Sequence, residues 1–264
     1  VATQAGYATA WFSNQAAVGK HDGIIASYAQ EAAATAFLNP SGFADQGSLD
    51  ALLLPALRRH LANNARALVV LRETLAFHSP LADFAFAMQG LGSGAISLGG
   101  TPAQQAAYLP AVARGDKIAA FALSEPDAGS DVAAMKTRAD CANQTSAGGQ
   151  NHSESTDWKL TGTKTWISNG GLADFYCVFA KTDRLAGSRG ITAFIVDKGA
   201  PGLDDSAHIH VMAPHPLATL KLTDCAVSGD MPLGEVNGGF KLAMQTLDIF
   251  RASVAGAALG MARR

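Results

Sequence analysis

Two polar segments in the middle of the chain combine residue types that could bind a flat, phosphorylated molecule. The first, SEPDAGSD, spans residues 124–131, and the second, KTWISNGG, spans residues 164–171. Each follows or contains an apolar, strand-like stretch and then changes to small, hydroxylated and flexible residues, which allow a backbone to approach a ligand closely. Gly129 can adopt a positive φ, and Ser130 offers a hydroxyl and a backbone N–H. The two segments therefore predict a cofactor site.

The elements before these segments read as helices. Apolar residues recur near helical spacing with polar residues such as Arg72 between them, which predicts an α-helical N-terminal domain over residues 1–120. The run GLGSG at residues 90–94 superficially looks like a nucleotide-binding loop. No β run precedes it, and no acidic residue stands where a ribose contact would be needed, so the favoured interpretation is close helix packing.

From residue 121 the pattern changes to short β-type runs separated by turn formers. With no helical pattern between the runs, residues 121–232 are predicted to form a middle domain that is an antiparallel β-sandwich or barrel. The polar stretch 140–157 predicts a long surface hairpin, and Asn169-Gly170-Gly171 predicts a type I′ hairpin turn. The predicted strands include residues 158–160, 165–167, 175–180, 191–196 and 220–222.

A helical pattern returns in residues 233–264, so the fold class is predicted to be α+β. This last segment is apolar on all sides, which predicts neighbouring helices that the chain itself does not supply. The sequence starts at Val1 rather than at a methionine and stops at Arg264 without a helix-stop signal. We therefore expect a fragment that contains only the first helix of a C-terminal α-helical bundle.

Composition excludes several classes of protein. The chain has 264 residues, of which 48% are hydrophobic and 16% charged, and its net charge is -2; this argues for a folded protein and against binding to nucleic acid. No apolar run reaches the ~18 residues of a membrane span, and no secretory signal is visible. Three widely spaced cysteines predict free thiols. Three histidines lack an obvious carboxylate or thiolate partner, so no metal site is expected at His208, His210 and His215.

Taken in order, these elements resemble the acyl-CoA dehydrogenase family of FAD-dependent flavoproteins. The resemblance rests on FALSEPDAGSD (121–131), KTWISNGG (164–171) and GGFKLAMQTLDIFR (238–251), set among a helical segment, a β segment and a second helical segment. It extends from about Leu71 to Arg264, while residues 1–60 align only loosely. The two middle motifs are highly specific, whereas the helical match alone would not be.

The resemblance implies a set of cofactor contacts. Trp166 would flank the flavin ring, the Ser168 hydroxyl would bond to the flavin N5 edge, and Ser130 would also face the CoA substrate. Ser124 and Ser168 stand where many relatives have threonine, which keeps the hydroxyl but loosens the side-chain rotamer. The implied FAD contacts are Phe121, Leu123, Ser124, Gly129, Ser130, Trp166, Ile167 and Ser168.

The last helix carries the other implied contacts. Asp248 and Arg251 share one helical face, where they are expected to contact substrate; an ordinary surface ion pair is the alternative. Some relatives carry the general base immediately before this arginine, but Phe250 stands there and cannot accept a proton. The resemblance therefore implies a base beyond Arg264. Capping and loop roles, rather than acid catalysis, are expected for three acidic residues of the first motif: Glu125, Asp127 and Asp131.

The implied reaction is α,β-dehydrogenation of an acyl-CoA to the trans-2-enoyl-CoA, with electrons passed to an electron-transferring flavoprotein. The chain alone is predicted to be inactive. Two alternatives remain open: an acyl-CoA oxidase or flavin monooxygenase of the same fold, and a non-catalytic fragment that binds FAD or acyl-CoA. A homo-oligomer, typically a tetramer in relatives, is expected, as is a soluble intracellular location in the bacterial cytoplasm or mitochondrial matrix.

Overall fold

The structure is a computed structural model that describes residues 65–141 and 157–264. It contains helices and a single mixed sheet, so the predicted α+β fold class is confirmed. The helices are α1 (Ala65–His78), α2 (Pro80–Gly99), α3 (Pro102–Arg114) and α4 (Gly239–Arg263). The strands are β1 (Ala119–Ala122), β2 (Arg138–Cys141), β3 (Trp158–Ser168), β4 (Phe175–Lys181), β5 (Ile191–Asp197), β6 (Leu203–Ile209), β7 (Leu217–Val227) and β8 (Pro232–Leu233).

Helices α2 and α3 begin in the same way, at a hydroxyl residue followed by proline. The Ser79 hydroxyl accepts a hydrogen bond from the Ala82 N–H at 3.3 Å before α2. At α3, Thr101 and Gln104 exchange bonds: the Gln104 N–H donates to the Thr101 hydroxyl at 3.2 Å, and the Thr101 N–H donates to the Gln104 side chain at 2.8 Å. These bonds satisfy N-terminal amides that the helix itself leaves unpaired, which fixes where each helix starts.

The sheet has the strand order β6-β7-β3-β2-β4-β5-β8, and β1 also pairs with β4. Most pairs are antiparallel, as the sequence predicted, but β1 and β2 both run parallel to β4. Strands β2 and β3 pair from Cys141 opposite Trp158, which agrees with the predicted hairpin; its residues 142–156 lie outside the described part. The parallel pairs were not predicted because β1 and β2 are only four residues long and their partner β4 lies far along the chain, at Phe175–Lys181.

Two irregularities interrupt the ladder between β3 and β7. In the first, Leu160 faces Cys225 but Gly162 faces Leu222, so β7 carries one extra residue. In the second, Lys164 faces Leu220 but Ile167 faces Ala218, so the extra residue lies in β3. Each is a β-bulge, which bends the strand and turns a side chain out of its regular direction.

The described residues fall into two compact units. One contains residues 92–104, 118–141 and 157–244, and its apolar core is formed mainly by residues of β1, β3, β4, β5 and β7. The other is helical and contains residues 65–91, Gln105–Lys117 and Gln245–Arg264. The division into three domains at residues 120 and 232 stays a prediction. No helix in the described ranges is long and apolar enough to cross a membrane.

Inside the helical unit, Arg72 is buried, although it falls between the apolar residues of the helical pattern. Its guanidinium binds both carboxylate oxygens of Asp83 at 2.8 Å and donates to the Ser253 hydroxyl at 2.9 Å. Arginine can occupy the interior here because its fork of donors is matched by a bidentate carboxylate. The pair ties α1 to α2 and α4.

The glycine run of α2 packs closely, as predicted. A β-carbon added at Gly90 would lie 2.8 Å from the ring of Phe250 in the helical unit. One added at Gly92 would lie 2.6 Å from the Ala119 carbonyl carbon in the sheet unit. Neither position leaves room for a side chain, which explains the glycines without a phosphate ligand.

Candidate functional site

The first motif begins with a tight turn. The Glu125 N–H donates to the Ala128 carbonyl at 3.0 Å, and the Ala128 N–H donates to the Glu125 carbonyl at 3.2 Å. Pro126 takes the second position of the turn, where its fixed φ is favourable. Beyond the turn Gly129 and Ser130 are exposed. Gly129 does not adopt a positive φ; instead, a β-carbon there would meet no atom within 4 Å, so the backbone borders open space.

Adjacent residues of β3 hold this motif to the sheet. The Thr165 N–H donates to the Ser124 carbonyl at 3.0 Å. The Lys164 ammonium donates to the Leu123 carbonyl at 3.0 Å and to the Glu125 carboxylate at 2.8 Å. The structure thus joins the two motifs that the sequence placed about 35 residues apart.

The acidic residues of the first motif lie in a loop, as predicted, but the predicted helix capping was wrong. Glu125 does not cap a helix; it is buried and forms the ion pair with Lys164. Asp127 forms an exposed ion pair with Lys136. Asp131 precedes a short 3-10 turn but makes no side-chain capping bond to it. That none of these three carboxylates acts as a catalytic acid stays a prediction.

Trp166 is the exposed aromatic residue of β3. It occupies the second bulge at φ 58°, a left-handed conformation that is unusual for a bulky side chain. Its exposed fraction is 61%, although Thr165 and Ile167 on either side are buried. The bulge therefore turns the indole out of the alternating pattern and presents it to solvent.

Ser168 ends β3 and contacts a histidine from the loop before β7. Its hydroxyl oxygen lies 2.9 Å from Nε2 of His215. Burial lowers the pKa of His215, so the neutral imidazole is favoured at physiological pH. A neutral ring either donates to the hydroxyl or accepts from it, depending on which nitrogen carries the proton.

The segment after β3 is not the predicted type I′ hairpin turn. Strand β3 does not pair with β4, and only Asn169 and Gly171 of the segment have positive φ, at 62° and 76°. The chain instead folds back locally, with the Ala173 N–H donating to the Asn169 carbonyl at 2.8 Å. The Asn169 side chain donates to the Ala119 carbonyl at 3.0 Å, which fixes this loop to β1.

Three predicted cofactor residues are partly or fully covered by the sheet. Phe121 lies on β1 with its ring 4.9 Å from the Phe179 ring. The Leu123 side chain is buried, and its carbonyl is bound by Lys164. Ile167 is buried in the sheet core, so its side chain packs inward rather than toward solvent.

On helix α4, Asp248 and Arg251 form a loose ion pair with 3.8 Å between Oδ1 and the guanidinium nitrogen. Both side chains are about two-thirds exposed or more, at 73% and 69%. Such a pair contributes little to stability, so both groups are available to a ligand. Phe250 beside them is buried against Gly90, which gives it a packing role.

The described residues contain no group of three His, Cys, Asp or Glu side chains that could hold a metal ion. The three cysteines are free thiols, as predicted. Burial raises the pKa of Cys177 to about 12 and that of Cys225 to about 11, so neither is a reactive thiolate at neutral pH.

Comparisons with known proteins bear directly on this arrangement. A family profile described as "Acyl-CoA dehydrogenase, middle domain" matches residues 120–225. The short-chain specific acyl-CoA dehydrogenase of Megasphaera elsdenii is 40% identical over 165 residues, covering 62% of this chain and 40% of the relative. The solved butyryl-CoA dehydrogenase from the same organism matches with a TM-score of 0.68 and 31% identity, covering 83% of this chain and 58% of that one.

Residues 120–225 thus match the middle domain of the acyl-CoA dehydrogenase family, and the relatives and solved structures that match beyond it support the same family. A glutaryl-CoA dehydrogenase from Mycobacterium smegmatis, solved in complex with FADH2, is a further structural match with a TM-score of 0.63 and 31% identity; the match covers 75% of this chain and 47% of that one. The chain spans 40% of the length of the first of these relatives, 58% of the second and 47% of the third.

Two residues of the candidate site were not assigned a role from sequence. The role of Lys164 could have been inferred from the strand pattern. Lys164 lies an even number of residues after Leu160, so both side chains point to the core-facing side of β3, where a charge requires a partner. The role of His215 could not be inferred in this way, because it lies 47 residues from the serine that it contacts.

Proposed function

We propose that this chain supplies the flavin-binding part of an acyl-CoA dehydrogenase, an oxidoreductase that converts an acyl-CoA thioester to the trans-2-enoyl-CoA. The observation that carries the proposal is Trp166. Its indole is exposed on an otherwise buried part of β3, it is held at a positive φ, and the preceding residue is bonded to the SEPDAGSD motif.

The residues present fit FAD as the cofactor. An exposed indole offers a flat aromatic face, and the open space at Gly129 allows the backbone to approach a ligand. When bound, FAD supplies the acceptor for the hydride that leaves the β-carbon of the acyl chain. We assign to its binding Phe121, Leu123, Ser124, Gly129, Ser130, Trp166, Ile167 and Ser168.

Ser168 is proposed to offer a hydrogen bond to the flavin. When the His215 Nε2–H donates to the Ser168 oxygen, the hydroxyl proton is left for the ligand; when Nε2 is unprotonated, it accepts that proton instead. His215 therefore determines whether Ser168 acts as a donor. The first arrangement is the one that suits the proposed contact with the N5 edge.

We further propose that Ser130, Asp248 and Arg251 contact the acyl-CoA. Ser130 contributes a hydroxyl and an N–H, and Arg251 a cation suited to a phosphate or carbonyl oxygen. We assign no residue of this chain as the base that removes the α-proton, because Phe250 has no proton-accepting group. A base beyond Arg264, an electron-transferring flavoprotein as acceptor and a homo-oligomeric assembly stay predictions.

The proposal is tested by titrating the purified chain with FAD while following quenching of flavin fluorescence and the visible absorption spectrum. We expect the parent chain to bind FAD saturably. Trp166→Ala should weaken this binding, and Ser168→Ala should shift the visible absorption spectrum of the bound flavin. Trp158→Phe and Ser228→Ala are the matched controls, because Trp158 packs against Phe194 and Ser228 is an exposed serine outside the two motifs.

Binding that is absent, or that is equally strong in both test variants and both controls, contradicts the cofactor assignment. In the full-length protein, reduction by butyryl-CoA without oxygen tests the reaction itself. Rapid reoxidation in air with stoichiometric peroxide would favour the oxidase alternative.

A further inference from the structure

The Lys164 ammonium is fully buried, with 0% of its side chain exposed, in the strand that presents Trp166. It lies 2.8 Å from a Glu125 carboxylate oxygen, 3.0 Å from the Leu123 carbonyl and 3.9 Å from the Met135 sulfur. An ammonium removed from water requires such partners, because its unpaired burial is very costly. Desolvation lowers the pKa of Lys164 to about 8, against the opposing charge of Glu125.

The Glu125 carboxylate is the centre of this cluster. Besides Lys164, it accepts the Lys136 N–H at 2.6 Å and the Thr137 N–H at 3.0 Å. Desolvation raises the pKa of Glu125, but the Lys164 charge and these hydrogen bonds outweigh it, so the net pKa lies below the ordinary value of 4.5. The carboxylate is therefore ionised at neutral pH, and it accepts three hydrogen bonds.

The pair connects three stretches of chain at one point. Lys164 belongs to β3, Glu125 opens the turn of the first motif, and the two bonded amides belong to the stretch that leads into β2. A second bond joins the same two segments next to this ion pair: the N–H of Thr165, which follows Lys164, donates to the carbonyl of Ser124, which precedes Glu125. Trp166 follows immediately, at the bulge.

Stability alone is a weak explanation for such a pair. Replacing a buried ion pair by apolar side chains of similar volume is often neutral or stabilising, because desolvation offsets the attraction between the charges. An ion pair differs from an apolar contact in that it fixes direction: the ammonium must point at three acceptors at once. Directional fixing is useful where two backbones must keep a set spacing.

We propose that the buried Lys164–Glu125 pair is a positioning element that sets the backbone at Ser124 and the direction of the Trp166 ring for flavin binding. The inference rests on the proposed function. Neither residue touches the ligand in this scheme. Without the ammonium, the Leu123 carbonyl loses its donor. Of the bonds that the described residues form between the first motif and β3 at this point, only the one from Thr165 to Ser124 is then left, so the spacing of the two motifs is no longer fixed.

The test compares Lys164→Met with Lys136→Met. Both remove a lysine paired with an acidic residue of the first motif, but the Lys136 pair with Asp127 is exposed, at 75% and 72%. A third variant, Val196→Ala, truncates a buried residue of β5 and serves as a control for lost stability alone. The double variant Lys164→Met/Glu125→Gln removes both charges and leaves no buried charge unpaired.

We expect Lys164→Met to weaken FAD binding by about tenfold or more, as for a lost hydrogen bond to a charged group, and to shift the visible spectrum of bound flavin. Lys136→Met and Val196→Ala should leave both unchanged. The double variant should be thermally more stable than Lys164→Met, but its bound flavin should keep the shifted spectrum. If the pair were purely structural, stability and spectrum would return to the parent values together.

A readout without flavin separates this inference from the proposed function. In a Trp11→Phe/Trp158→Phe background, Trp166 is the sole tryptophan of the chain. Adding Lys164→Met should change its emission maximum and its quenching by acrylamide, whereas adding Lys136→Met should not. An unchanged emission overturns the positioning role, and so does a Val196→Ala variant that reproduces the flavin effects. Failure of the parent chain to bind FAD overturns the proposed function, while the emission still decides the positioning role.

Discussion

Strands β3 and β7 contain two bulges of opposite kind. The first places Asp224 of β7 at φ 45°, and the second places Trp166 of β3 at φ 58°. Aspartate tolerates the left-handed region, and here the Thr161 hydroxyl donates to its carboxylate at 3.1 Å and accepts its N–H at 3.3 Å. Local chemistry therefore accounts for the Asp224 bulge.

No such local account exists for Trp166. A bulky aromatic residue in this region is strained, and its exposed ring gains little from burial. The strain is maintained by the buried ion pair and the Ser124–Thr165 bond beside it. The comparison indicates that one bulge follows from the sequence around it and that the other is imposed by the surrounding fold, which agrees with the proposed flavin contact of Trp166.

The largest effect should come from removing the anchor of the second bulge. We expect Lys164→Met to lower the free energy of unfolding by about 3–5 kcal/mol, because Glu125 is left as an uncompensated buried charge. Urea unfolding of the two Lys→Met variants measures this, and Lys136→Met should unfold like the parent. Equal loss in both variants would remove the distinction between buried and exposed pairs.

The next largest effect should come from replacing Trp166 at the second bulge, where stability and FAD binding should change by different amounts. Trp166→Gly relieves left-handed strain of roughly 1–2 kcal/mol, which is offset in part by the 0.5–1 kcal/mol entropic cost of glycine. We therefore expect thermal stability within about 1 kcal/mol of the parent, while FAD affinity falls roughly tenfold with the loss of the aromatic face. A large loss of stability would show that the ring is structural.

A smaller effect is expected at the first bulge. Asp224→Ala should cost about 1–2 kcal/mol, because alanine is disfavoured at positive φ and the Thr161 bond is lost. Asp224→Gly should cost less, since glycine accepts this φ. Flavin titration should give the parent affinity for both variants; weakened binding in Asp224→Gly would mean that the two bulges act together.

The smallest effect should appear in the acid range. The folded pKa of Glu125 lies below its unfolded value, so its stabilisation is complete above about pH 4.5 and is lost as the pH falls through the folded pKa. Thermal melts from pH 6 to pH 3 should show Glu125→Gln less stable at pH 6 but less sensitive to acid. Parallel curves would place the acid sensitivity elsewhere.

The sequence predicted what depends on local pattern. The core strands, the helices and the close approach at Gly90 and Gly92 all follow from periodicity or from the need for small residues. The specific motifs also predicted the family correctly. These features are visible in a single stretch of chain.

What depends on distant residues was not predictable in the same way. A run such as Thr165-Trp166-Ile167 reads as a regular strand, and only its partner β7 reveals the bulge. The type I′ turn was wrong because its logic requires β3 and β4 to be neighbours, whereas β2 lies between them in the sheet. The bonds of Glu125 and Ser168 depend on partners 39 and 47 residues away.

The register shifts of the two bulges also cancel, because one extra residue lies in β7 and the other in β3. Strands β3 and β7 each have eleven residues, and they pair end to end, Trp158 with Val227 and Ser168 with Leu217. Deleting Trp166 and Asp224 together would leave an uninterrupted ladder with both ends in their present register. One inserted residue in each strand is thus the smallest change in chain length that shifts the pairing in the middle of the ladder and leaves the pairing at its ends unchanged. Two single-codon insertions could in this way give a regular sheet a new binding surface.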